Sequence, residues 1–421
     1  IHAVRRMGAV LVPLNRRSAP AELRQQLDAV GAAVLVHDGA NADTARASRP
    51  DGVPALRVEA LLAGAPCGLP PTLREQIDLD APATIVFTSG TSGRPKGAVL
   101  THDNHRASAH AWAGLLRPVP GHRWLACLPL FHVAGLGIIT RVTRWGAPLR
   151  LLDRFDPKAV SAALDDGVTH LSLVPAQLRA LLDVRSGRAA PRTLEALLLG
   201  GGPIPPKVLS RARAQGYRVL TTYGMTETSS GVASGGADPA TLDDPLAARP
   251  LPGVRLKVEP DGSADGSGEI LVRGEMVFAG YLDDPAATAA AVRDGWLHTG
   301  DIGTIDDAGL LRIVDRRDDL IISGGENVYP AEVEAVLAEH DTVAEAAVVG
   351  APDDRWGAVP VAFVVATEHT EPEPEALRSH CRERLAAYKV PQRVEVVTEL
   401  PRNAFGKVQR HELRRRLEGA S

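Results

Sequence analysis

The chain has 421 residues, 44% of them hydrophobic, and a formal net charge of -4 at pH 7. This length allows about two or three domains with a buried core. The small net charge provides no basic field for nucleic acid, and no apolar run of about 18 residues predicts a membrane span. The three cysteines form no CxxC pair, which argues against a disulfide framework and against a zinc site, so we expect a cytoplasmic protein.

Residues 1–15 have the pattern of a helix that runs into a strand, without an initiator Met, an N-cap or the pattern of a signal peptide. We therefore expect residues upstream of Ile1 to be missing from this sequence.

A loop rich in glycine and hydroxyl groups follows the apolar run at residues 84–88, and it carries Lys96. Glycine lets backbone N–H groups approach an anion, while Ser, Thr and Lys side chains add donors and positive charge. The spacing differs from a Walker motif, because Gly90 and Gly93 are too close and Lys96 precedes Gly97. The loop predicts a polyphosphate site, and a flexible surface loop remains the alternative for this segment alone.

Short apolar runs alternate with helical patterns between residues 84 and 230. The runs typical of strands are 84–88, 124–129, 149–152, 170–174, 194–200 and 218–223. Helical spacing with proline near the start occurs at 157–166 and 205–213. The alternation predicts a doubly wound, mostly parallel sheet that binds ligands beyond the carboxyl ends of its strands.

The pattern changes after Gly231, where Pro, Gly and Asp separate short β-type runs at 254–258, 269–273 and 310–314. These runs predict a smaller β-rich subdomain. A third pattern begins near residue 317, with helices predicted at 330–340 and 373–387 and strands at 343–349, 361–366 and 393–397. We therefore predict an α/β N-terminal domain at 1–316 and a compact α+β domain at 317–421, with a candidate hinge at 315–319.

Two segments that follow predicted strands have side chains suited to a nucleotide. In the first, Tyr223 offers a ring for a base, Thr226 a donor for phosphate, and Glu227 a carboxylate for a divalent cation. In the second, the glycines at 200–202 permit close backbone approach to a flat ligand. An ordinary strand-to-loop turn remains the alternative for each segment taken alone.

Two further side chains complete the candidate site. Asp301 can accept two hydrogen bonds from a vicinal diol, and Lys407 lies in a glycine-supported loop from which it can reach phosphate or carboxylate. A turn aspartate and a solvated lysine are the alternatives.

Five motifs occur in an order that makes a family resemblance specific. They are Thr88-Ser-Gly-Thr-Ser-Gly-Arg-Pro-Lys-Gly97, Tyr223-Gly-Met-Thr-Glu227, Thr299-Gly-Asp301, the segment 315–330 and Pro401-Arg-Asn-Ala-Phe-Gly-Lys407. They resemble the core motifs of the adenylate-forming superfamily, which comprises acyl-CoA synthetases, luciferases and peptide-synthetase adenylation domains. The resemblance covers nearly the whole chain and implies a small, mobile C-terminal domain. It also implies that roughly 50 to 100 residues of the usual first subdomain are absent.

The resemblance implies an enzyme that joins a carboxylate to ATP with Mg²⁺ and then passes the acyl group to a thiol. Glu227 would hold the Mg²⁺, and Lys407 would bridge the attacking carboxylate and the phosphate. Asp318 matches the family's hinge. The resemblance also implies Thr88, Ser89, Thr91 and Lys96 for the β- and γ-phosphates and Thr226 for the α-phosphate. Gly201, Gly202 and Tyr223 would frame the adenine, Asp301 and Arg316 would hold the ribose, and Ser323, Gly324 and Gly325 would line a thiol tunnel. The resemblance further implies ATP- or AMP-binding roles for Gly90, Ser92, Gly93, Gly224 and Met225.

The acid is indicated by similarity and not by pocket chemistry. His132 stands, with apolar residues after it, where amino-acid-activating relatives usually have Asp, which favours a small-molecule carboxylic acid without an α-amine. Coenzyme A is the expected acceptor, because no carrier-protein domain follows Ser421. The segments 167–175 and 197–206 most resemble 2-succinylbenzoate-CoA ligases of menaquinone biosynthesis, and a medium-chain fatty or aryl acyl-CoA synthetase stays as the alternative.

A different class of protein also stays open. The expected loss of N-terminal residues is compatible with a non-catalytic nucleotide-binding remnant. The presence of Lys96, Glu227, Asp301 and Lys407 speaks against it. The sequence does not determine the oligomeric state, for which a homodimer is one candidate.

Overall fold

The computed structural model describes residues 1–64, 76–88, 96–202, 204–236, 247–260, 266–316, 319–323, 326–353, 356–368, 370–385, 387–402 and 408–418. In this part of the chain the α-helices are α1 His2–Met7, α2 Pro20–Ala29, α3 Ala42–Ser48, α4 Val58–Leu62, α5 His102–Leu116, α6 Val133–Trp145, α7 Pro157–Asp165, α8 Pro175–Arg185, α9 Pro206–Ala214, α10 Pro285–Ala291, α11 Pro330–Ala338, α12 Pro374–Arg382 and α13 Arg410–Glu418.

The strands of the same ranges are β1 Leu35–His37, β2 Ala55–Arg57, β3 Pro82–Thr88, β4 Lys96–Thr101, β5 Trp124–Ala126, β6 Leu149–Leu151, β7 His170–Leu173, β8 Ala196–Leu199, β9 Val219–Met225, β10 Ser230–Gly235, β11 Ala247–Pro250, β12 Arg255–Pro260, β13 Gly268–Arg273, β14 Gly280–Tyr281, β15 Val292–Arg293, β16 Trp296–Ile305, β17 Leu311–Arg316, β18 Ile321–Ser323, β19 Glu326–Val328, β20 Val343–Asp353, β21 Gly357–Ala366 and β22 Arg393–Val397. No described helix is long and apolar enough to cross a membrane.

A parallel sheet forms the centre of the larger part, as predicted. Its strands are ordered β9-β8-β7-β5-β6. Alternate residues of β8 enter two cores, since Leu198 packs in the cluster with α5 and α6, while Leu197 and Leu199 pack in the cluster with α7, α8 and α9. Strands that are buried on both faces in this way have the continuous apolar sequence seen at 196–199.

The predicted β-rich segment continues the same sheet instead of forming a separate one. Strand β10 pairs antiparallel with β9, and the order then runs through β11, β17, β16 and β13 to β12. The predicted runs at 254–258, 269–273 and 310–314 correspond to β12, β13 and β17. The sheet therefore brings β16 close enough to β9 for side chains of the two strands to meet at the candidate site.

The predicted strand at 84–88 is present as β3, but its placement in the parallel sheet was wrong. It belongs to a three-stranded antiparallel sheet of order β14-β4-β3. The connection at residues 89–95 is shorter than the dozen or so residues that a parallel crossover needs, so the chain returns as a hairpin. The strand expected near the N-terminus is reduced to one bridge between Leu11 and Thr84.

The C-terminal segment forms the predicted α+β unit. Strands β18 to β22 make a sheet of order β19-β18-β21-β20 with β22 beside β21, and α11, α12 and α13 pack on it around two apolar clusters. It touches the larger part through a buried 2.9 Å hydrogen bond between the Tyr329 and Ser267 hydroxyls and an Arg179–Glu345 ion pair at 3.7 Å. The boundary near residue 316 stays a prediction.

Candidate functional site

The predicted phosphate loop follows β3 and precedes β4, the paired strands of a hairpin. Thr88 and Lys96 are register partners in β3 and β4, and the Thr88 hydroxyl donates to the Lys96 carbonyl at 3.4 Å. The predicted residues Ser89, Gly90, Thr91, Ser92 and Gly93 lie outside the described residues. The hairpin therefore fixes both ends of the loop, and Lys96 begins the returning strand.

Tyr281 connects Lys96 with Glu227. Lys96 Nζ lies 5.1 Å from the centroid of the Tyr281 ring, and the Tyr281 hydroxyl donates to Glu227 Oε1 at 2.8 Å. The pairing of β14 with β4 places Tyr281 opposite Ala98, beside the lysine. Tyr281 was not predicted from the sequence, because a strand of two residues has no periodicity and only its pairing with β4 brings the ring to the site.

Glu227 lies in a turn held by its backbone. Residues Thr226–Thr228 form one turn of 3-10 helix directly after β9, and the Glu227 carbonyl accepts from Phe278 N at 2.9 Å. Ser229 follows with φ 55, a left-handed conformation that closes the turn. A carboxylate presented in this way is the oxygen ligand that Mg²⁺ prefers, usually together with phosphate oxygens and water. The chemistry of the donor thus fits the predicted magnesium site.

Tyr223 and Asp301 form a second polar pair. The Tyr223 hydroxyl donates to Asp301 Oδ2 at 2.8 Å, and the Asp301 side chain is buried. Asp301 lies within β16 and not in a turn. Its register partner in β17 is Arg316, the other predicted ribose residue, whose side chain lies outside the described part.

Glu269 holds the backbone beside this pair, and it too was not predicted from the sequence. Its carboxylate accepts from Gly300 N at 3.0 Å, one residue before Asp301, and lies 3.1 Å from His298 Nδ1. A buried glutamate in an apolar strand requires hydrogen-bond partners, so its presence in the sequence can indicate a residue that holds its neighbours in place.

The glycines near the ends of β8 and β9 are there for different reasons. A Cβ on Gly224 would lie 2.0 Å from the Ser230 carbonyl oxygen, and Gly201 has φ +83. Gly202 has open space around its Cα. The register of Leu199 with Thr221 means that both glycine segments leave the sheet at the same edge as Tyr223, Met225 and Thr226.

His132, which was predicted to lie in the acyl pocket, precedes α6 at the same edge of the sheet. It is the N-cap residue of α6, it is half-buried, and its ring centroid lies 4.6 Å from that of Phe131. The structure thus places His132 on the loop after β5, near the strand ends that carry the other predicted residues.

The C-terminal predictions are only partly within the described chain. Ser323 is buried in β18 and pairs with Gly357, whereas Asp318, Gly324, Gly325 and Lys407 lie outside the described residues. The loop that contains Lys407 is closed at its base by a bridge between Arg402 and Val408 and by Gln409 N donating to Pro401 O at 2.8 Å.

The fold and the grouped lysine, carboxylate and tyrosine side chains are those of a nucleotide-binding α/β protein with a separate C-terminal unit. Residues 1–282 match the family model "AMP-binding enzyme", and residues 332–407 match "AMP-binding enzyme C-terminal domain". The chain belongs to the AMP-binding enzyme family.

The individual proteins that this chain resembles indicate a narrower class of enzyme within the family. The chain is 44% identical over 422 residues to a 2-succinylbenzoate--CoA ligase of Geobacillus kaustophilus, a match that covers 99% of this chain and 84% of the relative. It is also similar to a solved structure of o-succinylbenzoate CoA synthetase from Bacillus subtilis in complex with the acyl-adenylate intermediate OSB-AMP. That likeness has a TM-score of 0.90 at 37% identity and covers 98% of this chain and 84% of the other.

The same Bacillus subtilis enzyme has been solved in other states. Its complex with ATP and magnesium ion gives a TM-score of 0.89 at 37% identity, covering 99% of this chain and 86% of that one. A double mutant bound to the product analogue OSB-NCoA gives only 0.71 at the same identity, covering 100% and 85%. Since sequence identity and coverage are nearly equal, the lower score shows that this chain differs more in structure from the product-analogue complex than from the other two.

Proposed function

We propose that this protein is an ATP-dependent carboxylate-CoA ligase that works through an acyl-adenylate and releases pyrophosphate and AMP, with 2-succinylbenzoate as its acid. The observation that carries the proposal is the 44% identity to a 2-succinylbenzoate--CoA ligase over 99% of this chain. The spatial grouping of Lys96, Tyr281 and Glu227 on one side and of Tyr223 and Asp301 on the other supports it, since a nucleoside triphosphate needs both a phosphate end and a ribose end.

In the first step a carboxylate oxygen of the acid attacks the α-phosphorus of ATP, and the bond to the bridging oxygen breaks to release pyrophosphate. Lys96 neutralises charge on the leaving pyrophosphate, and Thr226 donates to the α-phosphate. Glu227 holds Mg²⁺, which when bound spreads the phosphate charge. Asp301 accepts from the ribose hydroxyls, with its carboxylate oriented by the Tyr223 hydroxyl.

In the second step the thiol sulfur of coenzyme A attacks the acyl carbonyl, and AMP leaves. We propose that the C-terminal unit rotates about Asp318 between the steps, so that Lys407 serves the first step and the segment 323–325 lines the thiol path. The two TM-scores of 0.90 and 0.71 support this, because this chain resembles the adenylate-bound conformation of the Bacillus subtilis enzyme more than the one with the product analogue.

ATP-pyrophosphate exchange with a panel of acids tests the substrate. The panel is 2-succinylbenzoate, benzoate, a medium-chain fatty acid and an aryl acid of similar size. We expect exchange with 2-succinylbenzoate to exceed that with each other acid by at least about 100-fold, because a site that hydrogen-bonds a polar substrate group strongly rejects analogues without it. Stronger exchange with the fatty or aryl acid would assign the alternative ligase, and exchange with none would favour the non-catalytic remnant.

The half-reactions test the role of Lys407. We expect Lys407→Ala to lose adenylate formation and to retain thioester formation from a supplied acyl-adenylate. Lys158→Ala is the matched control, because it removes an exposed lysine from α7 without approaching the site. Equal loss of both half-reactions in Lys407→Ala would contradict the assignment.

We also assign the reaction to the cytoplasm, where ATP and coenzyme A are available and where the buried free thiols of Cys127 and Cys381 stay reduced. We propose that the protein is a homodimer, and sedimentation tests this. A monomer at micromolar concentration would be the contrary result.

A further inference from the structure

Two buried histidines and a glutamate meet at the sheet edge opposite the nucleotide residues. His122 precedes β5, His170 begins β7, and Glu195 immediately precedes β8. These three strands are parallel, so the residues before them lie together at the amino ends, whereas Gly201 and Tyr223 lie at the carboxyl ends. The proposed ligase reaction uses none of the three.

Their ligand atoms are close enough to share one ion. One nitrogen of each histidine and one oxygen of Glu195 all lie within 4.8 Å of one another. His122 Nε2 and Glu195 Oε2 are 2.9 Å apart, and the two imidazole centroids are 4.4 Å apart. Zinc bonds of about 2.0–2.1 Å in a tetrahedron place ligand atoms roughly 3.3 Å apart, so His122 Nε2 and Glu195 Oε2 must separate slightly. The half-exposed Glu195 side chain can supply that adjustment.

His122 lies against Glu195 inside the protein. Both histidine side chains are almost fully buried, at 3% and 1% exposure. Glu195 Oε2 is 2.9 Å from His122 Nε2, although the ring N–H is not well directed at it, and Val119 N donates to His122 Nδ1 at 3.4 Å. An ion bound to both Nε2 and Oε2 would take the place of their direct contact.

The surroundings of His170 also suit a residue that coordinates a metal ion. Its Nδ1 lies 2.7 Å from the Thr169 hydroxyl oxygen, and Nδ1–H donation to that oxygen leaves the lone pair on Nε2. Its ring stacks on Trp124 with centroids 5.0 Å apart, which fixes the plane of the imidazole.

We propose that His122, His170 and Glu195 bind a divalent transition-metal cation of the Zn²⁺ type, with water as the fourth ligand, at the amino ends of β5, β7 and β8. The donor set of two imidazoles and one carboxylate is one that zinc takes in proteins. The cysteine count could not indicate this site, because none of its ligands is a thiolate. Two cations, Arg141 and Arg218, act on His170 and oppose metal binding, so we expect the ion to be removable by EDTA.

The site is separate from the proposed reaction, so its effect is expected on stability and not on turnover. An ion that binds only the folded chain raises the melting temperature as its concentration exceeds Kd. At a hundredfold excess over Kd we expect a rise of at least about 2 °C in a chain of this size.

The test titrates EDTA-treated protein with Zn²⁺ and with Co²⁺, in the presence of excess Mg²⁺ to occupy the Glu227 site. We expect one equivalent to bind, with the visible absorption of tetrahedral Co²⁺ and a higher melting temperature. Glu195→Gln should weaken binding at least about 10-fold, and His122→Gln should do the same or more. Glu195 is half-exposed, so its variant is expected to fold even if His122→Gln does not.

His298→Gln is the matched control, because Glu259, Glu269 and His298 form the other such group in the described chain. His298 Nδ1 already lies 2.7 Å from the Arg293 guanidinium, which disfavours a cation there. Absence of one-equivalent binding, binding unchanged in Glu195→Gln, or binding lost in His298→Gln would each overturn the proposal. Binding that falls in Glu195→Gln and persists in His298→Gln supports it.

Discussion

Replacing Tyr281 with Phe removes one hydroxyl and keeps the ring. The hydroxyl donates to Glu227 Oε1 at 2.8 Å, whereas the ring faces Lys96 Nζ at 5.1 Å. The substitution therefore frees the carboxylate proposed to hold Mg²⁺ and leaves the lysine contact in place. We expect a defect in the use of MgATP and little change in the fold.

The magnitude follows from the hydrogen bond to a charged group. Such a bond contributes about 1.5–3 kcal/mol, which corresponds to about 10- to 150-fold in a rate or binding constant. Tyr281 and Glu227 are both only partly buried, so solvent can replace part of the lost bond and the lower half of this range applies. We expect kcat/KM for MgATP to fall about 10- to 30-fold, and the Mg²⁺ concentration for half-maximal exchange to rise.

The assay is ATP-pyrophosphate exchange at fixed 2-succinylbenzoate and varied Mg²⁺. Tyr388→Phe is the matched control, since it removes the hydroxyl of an exposed tyrosine in the C-terminal unit. An unchanged Mg²⁺ dependence in Tyr281→Phe would refute the positioning role of Tyr281. A fall in melting temperature that matches the loss of activity would assign Tyr281 to stability instead.

Three further outcomes are expected. Burial lowers the pKa of His105 to about 3, so between about pH 6.5 and pH 3 the unfolded chain binds a proton that the folded chain does not. The free energy of unfolding should therefore fall by about 1.4 kcal/mol from this group by pH 5.5. Urea unfolding of His105→Gln should show a weaker pH dependence than that of the unsubstituted protein. Gly231→Ala places a Cβ 2.5 Å from Trp112 Cζ2, so the urea midpoint should fall by an amount equivalent to about 1–3 kcal/mol, and an unchanged midpoint would contradict the packing. Asp301→Asn removes the charge proposed to accept the ribose hydroxyls and should raise KM for ATP about 10-fold in the exchange assay; an unchanged KM would contradict the assignment.

The local elements were predictable because their signals are local. Residues 196–199 are a continuous apolar run, and prolines mark the starts of α7, α8 and α9, so the alternation of strands and helices was visible in the sequence. The same holds for α11 and β20 to β22 in the C-terminal unit. The placement of β3 was wrong, because an apolar run is equally compatible with a hairpin and with a parallel strand.

Part of the site was also predictable. Glycine, hydroxyl groups and a lysine in one loop indicate phosphate whatever the fold, and the order of five motifs identified the family before any contact was known. Tyr281 and Glu269 escaped prediction, because their roles depend on partners far away in the chain, at Glu227 and Gly300.

The sequence by itself identified the family and predicted a phosphate loop, a carboxylate for magnesium and a ribose-binding aspartate. Tertiary structure alone decided which of these groups meet. The hydrogen bond from Tyr223 to Asp301 spans 78 positions, and it forms because β10, β11 and β17 place β16 beside the end of β9. The cluster of His122, His170 and Glu195 arises in the same way, since parallel strands gather at one edge residues that are distant in the chain.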